Sequence, residues 1–261
     1  MTHRPALTAL LFALLLPLAA CTGQQDAAPT AATPAAPTAT PAAPAADAAT
    51  AATPAPAEIV PAATATPPQG PAPVAGTDYV EIAGGQPLEP TAGQVEVVEV
   101  FGYTCPHCAS FEPLVNAWRA KQTADVRFTP VAAPFGGYWT PYARAYYAAQ
   151  TLGLASKTHD AMFRAIHVER SLPVQPVPTN EQIAAFYAKH GADAQQFAST
   201  MSSFAVDAKL KRAEAFITRS GVDSTPTLVV NGKYRVTGKT LEDNLRITDH
   251  LVAQERAAAG N

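Results

Sequence analysis

The chain has 261 residues, a formal net charge of −3, 48% hydrophobic residues, 25 prolines and 3 cysteines. Asp26, Asp47, Glu58 and Arg4 contribute −2 of that charge, which leaves −1 on the remainder. Such a near-neutral balance excludes the basic field that nucleic-acid binding requires.

Residues 1–20 carry one basic residue, Arg4, followed by an apolar stretch from Ala6 that ends in small residues. A bilayer span needs about 20 apolar residues, so this segment reads as a secretory signal. Leu18-Ala19-Ala20-Cys21 resembles the lipobox of bacterial lipoproteins, which implies cleavage before Cys21 and lipid on its sulfur. The alternative is an ordinary signal with an incidental cysteine. Thr22, in place of an Asp, implies outer-membrane sorting by the same resemblance. Residues 22–76 hold 22 Ala, 12 Pro and 9 Thr with no Lys or Arg. Their alanines inflate the hydrophobic percentage without offering a core. The segment is expected to be a disordered tether, stiffened toward polyproline II by its prolines.

Residues 77–261 can hold one sizeable core. Tyr79–Ile82 alternates as an edge strand, and Val95–Phe101 reads as a central strand. Cys105-Pro106-His107-Cys108 follows, and Ala109–Val115 reads as a helix. Residues three apart on a helix have side chains roughly 5–6 Å apart, compatible with a disulfide. At a helix start, free N–H groups and the positive dipole end stabilise a thiolate on Cys105. Pro106 sacrifices no hydrogen bond in the first turn, and His107 adds a donor or a positive charge. A C-x-x-C at a strand-to-helix junction is a thioredoxin-like redox arrangement. A zinc half-site lacks a second cysteine pair, and haem attachment would need His where Ala109 stands. A structural bridge is the remaining bland alternative.

Val126–Thr129 reads as a third strand. Helices are then expected from a Thr140-Pro141 cap to Leu152, from Lys157 to Val168, from a Thr179 or Asn180 cap to His190, from Asp193, and over Phe204–Arg219. Gly153, Gly191 and Gly221 close three of them, and Pro173, Pro176 and Pro178 keep the intervening stretch irregular. Thr227–Asn231 and Tyr234–Val236 form a hairpin through Asn231-Gly232. A final amphipathic helix runs from Leu241 to Ala257.

The C-P-H-C motif, with Glu99 six residues before it and Thr225-Pro226 ahead of the hairpin, resembles the DsbA family of bacterial thiol:disulfide oxidoreductases. The resemblance spans residues 77–251. It implies an α/β, thioredoxin-like fold whose first part (residues 77–137) and second part (222–261) flank a helical insertion (138–221). It also implies a redox-active Cys105–Cys108 disulfide as the working group, with no separate cofactor or metal. Pro226 is then expected to be cis and to face the active-site cysteine, with Thr225 and Pro226 binding extended substrate. Glu99 is expected to be a buried acid that exchanges a proton with Cys108. From the residues alone, Glu96 and Glu99 lie on opposite faces of one strand, so a covered sheet buries at least one of them. The family's basic residue on the third strand is missing, since Thr129-Pro130-Val131 occupies that region. Thr225 resembles the isomerase branch of the superfamily, which leaves the redox direction open.

Phe135, Tyr138, Trp139, Tyr142, Tyr146 and Tyr147 read as packing, with a peptide groove as the alternative. His159, His167 and His190 read as surface or satisfied core residues. The function expected is a dithiol oxidase acting on reduced exported proteins, reoxidised by a DsbB-like membrane partner. The alternatives are an envelope reductase or isomerase, or a non-catalytic peptide-binding lipoprotein.

Overall fold

A computed structural model describes residues 65–90 and 92–260. The predicted leader, the predicted lipid site at Cys21 and the tether up to residue 64 lie outside the described residues. The elements follow in the order β1 (Tyr79–Glu81), β2 (Val95–Phe101), α1 (Pro106–Arg119), β3 (Val126–Ala132), α2 (Trp139–Thr151), α3 (Ala155–His167), α4 (Asn180–Ala188), α5 (Ala194–Met201), α6 (Phe204–Arg219), β4 (Thr227–Val230), β5 (Tyr234–Val236) and α7 (Leu241–Ala259).

The strands form one sheet in the order β1-β5-β4-β2-β3. Only β2 and β3 are parallel; the other neighbours run antiparallel. Parallel neighbours need a crossover, and α1 supplies it. Helices α2 to α6 all intervene between β3 and β4. The result is a thioredoxin-like α/β layer with an inserted helical region.

All seven residues of β2 are buried, including two glutamates. The cause is helical cover on both faces. On one face, Val97, Leu228 and Val230 pack with Phe111, Val115 and Trp118 of α1 and with Ile247, Leu251 and Val252 of α7. On the other, Val98, Val100 and Val229 join the larger cluster built with α2 and α6. Within the insertion, Tyr187 and Phe197 stack with centroids 3.9 Å apart.

Local signals in the sequence end most elements where polar caps or glycines stand. Thr179 forms a reciprocal capping box with Gln182, and Asp193, Ser203 and Thr240 each accept a backbone N–H at their helix starts. Asn231 and Gly232 both take positive φ (49° and 64°), as a two-residue hairpin turn requires. A Cβ on Gly232 would also overlap the Gln86 carbonyl.

Two boundaries differ from expectation. α2 begins at Trp139 after Tyr138, which makes no side-chain cap, so Thr140 lies inside the helix and caps nothing. β3 continues through Pro130 to Ala132 because it is an edge strand, where a missing N–H breaks no ladder bond. The last residues of the proline-rich stretch lie along α7. Arg246 donates to the Pro71 carbonyl, and His250 Nε2 lies 3.3 Å from that of Gln69. Extended proline-rich chain leaves its carbonyls free for such donors.

Phe111 is fully buried between the sheet and α7. Phe111→Ala should cost roughly 3–5 kcal/mol through lost burial and a cavity. The urea midpoint of the oxidised protein should fall with an unchanged slope; an unchanged midpoint would contradict this packing.

Candidate active site

β2 ends at Phe101, and the turn to α1 is closed by the Cys105 N–H donating to the Gly102 carbonyl at 3.0 Å. The Trp139 ring lies against Gly102, where any Cβ would overlap it. Only glycine lets the aromatic ring back this turn so closely.

Cys105 is the N-cap of α1, with extended backbone (φ −86°, ψ 117°), and its sulfur accepts from the Cys108 N–H at 3.4 Å. Pro106 stands at the first helical position. The two sulfurs are free thiols in this structure. Thr225 approaches from the far end of the sequence, its carbonyl 3.5 Å from Cys105 Sγ. The Thr225–Pro226 bond is cis, and so is Gln175–Pro176, which no sequence signal marked.

These contacts separate the two thiols chemically. The Cys105 thiol is lowered from an ordinary 9.0 to about 5, first by its hydrogen bond with the Cys108 side chain. Burial opposes the shift, while a side-chain hydrogen bond from Thr225 and the N–H groups of Cys108 and His107 add to it. The Cys108 thiol moves the other way, well above 9.0, first because it is buried and next because it neighbours Cys105. His107 is exposed and acts on Cys105 through its backbone.

Glu99 lies beneath this pair on β2, 1% exposed, and its Oε1 has no hydrogen-bond partner among the described residues. Burial, then the neighbouring Glu112, pushes its carboxyl well above 4.5. The β3 residue in register with it is Pro130, so no basic side chain stands opposite. Glu96, on the opposite strand face, is equally buried but fully engaged. It accepts from the Leu88 and Glu89 N–H groups at 2.6 and 3.0 Å and pairs with Arg127 at 2.6 Å.

The aromatic stretch divides in two. Tyr142, Tyr146 and Tyr147 are buried, whereas Phe135 is 41% exposed and packs on Trp139 at 5.4 Å beside the active-site turn. Sequence reading missed a buried array next to the cysteines. Glu112 Oε2 lies 3.3 Å from His159 Nε2, and His159 Nδ1 lies 2.9 Å from the Tyr103 hydroxyl. The available signal was Glu112 itself, a charge four residues after Cys108 on an otherwise apolar helix face. Its partner on α3 carried no local sign.

The thioredoxin family model matches residues 89–250. The chain is similar to the thiol:disulfide interchange protein DsbA of Pseudomonas aeruginosa, 38% identical over 188 residues, covering 71% of this chain and 87% of the relative. It is 37% identical to DsbA of Azotobacter vinelandii over 70% of this chain and 85% of the relative. Among solved structures, the oxidoreductase DsbA from Xylella fastidiosa is 52% identical, with a TM-score of 0.69 over 71% of this chain and 98% of that one. DsbA of P. aeruginosa superposes with a TM-score of 0.65 at 38% identity, covering 72% and 97%.

Because the folded Cys105 thiol titrates at about 5 and an unfolded one near 9.0, the unfolded state binds the extra proton between these values. Stability from the thiolate is therefore complete above the unfolded value and lost as pH falls through the folded one. Reduced wild-type protein should outlast reduced Cys105→Ser by roughly 3–4 kcal/mol more at pH 8 than at pH 5. Parallel thermal unfolding at the two pH values measures the gap, which must widen with pH.

Proposed function

The chain belongs to the DsbA family of thiol:disulfide oxidoreductases, enzymes that introduce disulfide bonds into other proteins, and we propose that Cys105 is the nucleophile-accepting sulfur and Cys108 its buried partner. The observation that carries this assignment is the opposed acidity of two cysteines within one helical turn. In the oxidised enzyme, a substrate thiolate attacks Cys105 Sγ. The S–S bond to Cys108 breaks, and Cys108 leaves with the electron pair and takes up a proton. A second substrate thiolate then attacks the substrate sulfur of the mixed disulfide. Cys105 departs as a thiolate, a good leaving group at its lowered pKa. The substrate gains one disulfide, and the enzyme is left with a thiolate and a thiol.

The other roles follow from position. Pro106 lets the helix start without losing a donor, and the His107 N–H helps hold the Cys105 charge. The Thr225 carbonyl beside Cys105 would accept a backbone N–H of extended substrate, with Pro226 shaping that edge. Exposed Phe135, on Trp139, offers apolar contact to the same peptide. Glu99 would hold the proton that Cys108 needs, since burial pushes its carboxyl well above the ordinary 4.5. The working group would be the Cys105–Cys108 disulfide itself, with no added cofactor or metal. Substrates would be reduced exported proteins in the periplasm, and a DsbB-like membrane partner would restore the disulfide. Lipid on Cys21 would tether the domain to the membrane, in the outer membrane given Thr22.

Equilibration with glutathione tests the direction. An oxidase should have a potential clearly above thioredoxin's value of about −270 mV; a value at or below it would make the chain a reductase. Cys105→Ser should abolish oxidation of a dithiol peptide.

Glu99→Gln should slow reduction of the oxidised enzyme roughly tenfold or more, since the variant cannot exchange a proton. An ionisable group whose folded value is raised costs stability as pH climbs past its unfolded value of 4.5. The variant should therefore gain stability over wild type at pH 7 and little at pH 4. An unchanged exchange rate from pH 5 to 8 would reduce Glu99 to a structural residue.

Cys21→Ser should move the protein from the membrane fraction to the soluble one while purified protein keeps its thiol-oxidising activity. A mature N-terminus at any other residue would remove the lipid anchor from this account.

A further inference from the structure

Tyr103 stands two residues before Cys105, and α3 meets it at its backbone, its ring and its hydroxyl. The Tyr103 carbonyl lies 2.7 Å from His167 Nε2, its ring packs edge-on against Phe163 with centroids 5.0 Å apart, and its hydroxyl lies 2.9 Å from His159 Nδ1. His159, Phe163 and His167 follow one another at four-residue steps, so they form one stripe along α3. A carbonyl can only accept, so His167 Nε2 carries the proton and donates.

The same helix holds α1 beyond the cysteines. Glu112 Oε2 lies 3.3 Å from His159 Nε2, and the Asn116 amide reaches Asp160 at 3.3 Å. Helix α3 therefore grips the chain on both sides of Cys105, at Tyr103 before it and at Glu112 and Asn116 after it. Its inner face is itself fixed in the core of the insertion through Met162, Ala165 and Ile166, all buried. With both flanks held, the direction in which the chain enters α1 is set. So is the extended backbone that makes Cys105 a cap (φ −86°, ψ 117°) and leaves its sulfur 3.4 Å from the Cys108 N–H. Such a bond depends on angle as well as distance, so a small rotation of the cap weakens it.

We propose that His167 is a positioning residue for disulfide exchange: by holding the Tyr103 carbonyl it sets the cap geometry of Cys105, and so the oxidising strength of the Cys105–Cys108 pair. The proposal rests on the reading of Cys105 as the reacting sulfur. His167 touches neither sulfur and moves no proton or electron. Its effect travels through the Tyr103–Thr104 peptide. When that peptide is free to rotate, Cys105 presents its sulfur less directly to the helix N–H groups. The thiolate then loses stabilisation, and the reduced enzyme loses its advantage over the disulfide. The insertion thereby tunes the redox pair as well as covering the sheet.

His167→Leu removes the donor and keeps an apolar side chain of similar reach, while His167→Gln retains an amide N–H near the place of Nε2. Equilibration with glutathione reads the oxidising strength, the ultraviolet absorbance of the thiolate reads the Cys105 titration, and thermal unfolding of the oxidised protein shows that each variant is folded. In His167→Leu, Cys105 should titrate roughly half a pH unit or more above wild type, and the constant for reduction by glutathione should fall about threefold or more to match. His167→Gln should bring the constant back to within about twofold of wild type. His167→Asn, whose shorter amide stops short of the carbonyl, should behave as His167→Leu does, and it decides the matter if the leucine variant does not fold. An unchanged titration and constant in the folded leucine or asparagine variant overturns the proposal, and so do shifts in His167→Gln as large as those in His167→Leu. Cys105→Ser, titrated alongside, separates the two readings. If the thiolate signal at acidic pH survives in that variant, the assignment of Cys105 fails and takes the proposal with it. If the signal is lost there and His167→Leu matches wild type, the role of His167 alone fails.

Discussion

The site depends on one interaction: the Cys105 sulfur caps α1 by accepting the Cys108 N–H. A helix start has unsatisfied donors, and here a sulfur takes the place that a Ser, Thr or Asp oxygen usually fills. That position gives the negative sulfur local donors and the favourable end of the helix dipole. Cys108, inside the first turn, has its own N–H pointed back at Cys105 and its sulfur turned into the core. The chemical inequality of the pair follows from where the helix begins.

Holding that helix start still demands the rest of the fold. The turn from Phe101 to Cys105 is backed by Trp139, which needs Gly102 for clearance. Trp139 begins α2, so the insertion buttresses the redox turn directly. From the other side, β4 pairs antiparallel with β2 and carries the Thr225 carbonyl to the sulfur from 120 residues away. The central strand therefore fixes both the helix start and the segment that faces it.

The two glutamates of β2 illustrate how the same residue type on one strand acquires opposite roles. Glu96 has two backbone donors and Arg127, the arrangement a buried carboxylate needs to remain charged. Glu99, three residues on and facing α1, has a bare oxygen and Glu112 for a neighbour. Both conditions favour the protonated form. One residue clasps the β3 edge of the sheet; the other lies beneath the cysteines with its carboxyl pushed toward the protonated form.

The sequence by itself determined the redox motif, its place between a strand and a helix, most helix starts and the Asn231-Gly232 hairpin. Each of these is written in neighbouring residues: caps, turn residues, alternation and the spacing of two cysteines. It also determined that Glu96 and Glu99 lie on opposite strand faces, because side-chain direction alternates residue by residue. Tertiary structure alone decided that Glu96 finds Arg127 while Glu99 Oε1 finds no partner among the described residues, that Pro130 could extend an edge strand, and that Thr140 caps nothing. It alone brought His159 and Tyr103 to Glu112. These outcomes depend on which distant surfaces the crossover and the insertion press together. No periodicity within a dozen residues encodes a contact between side chains about fifty apart along the chain, as His159 is from Tyr103 and Glu112.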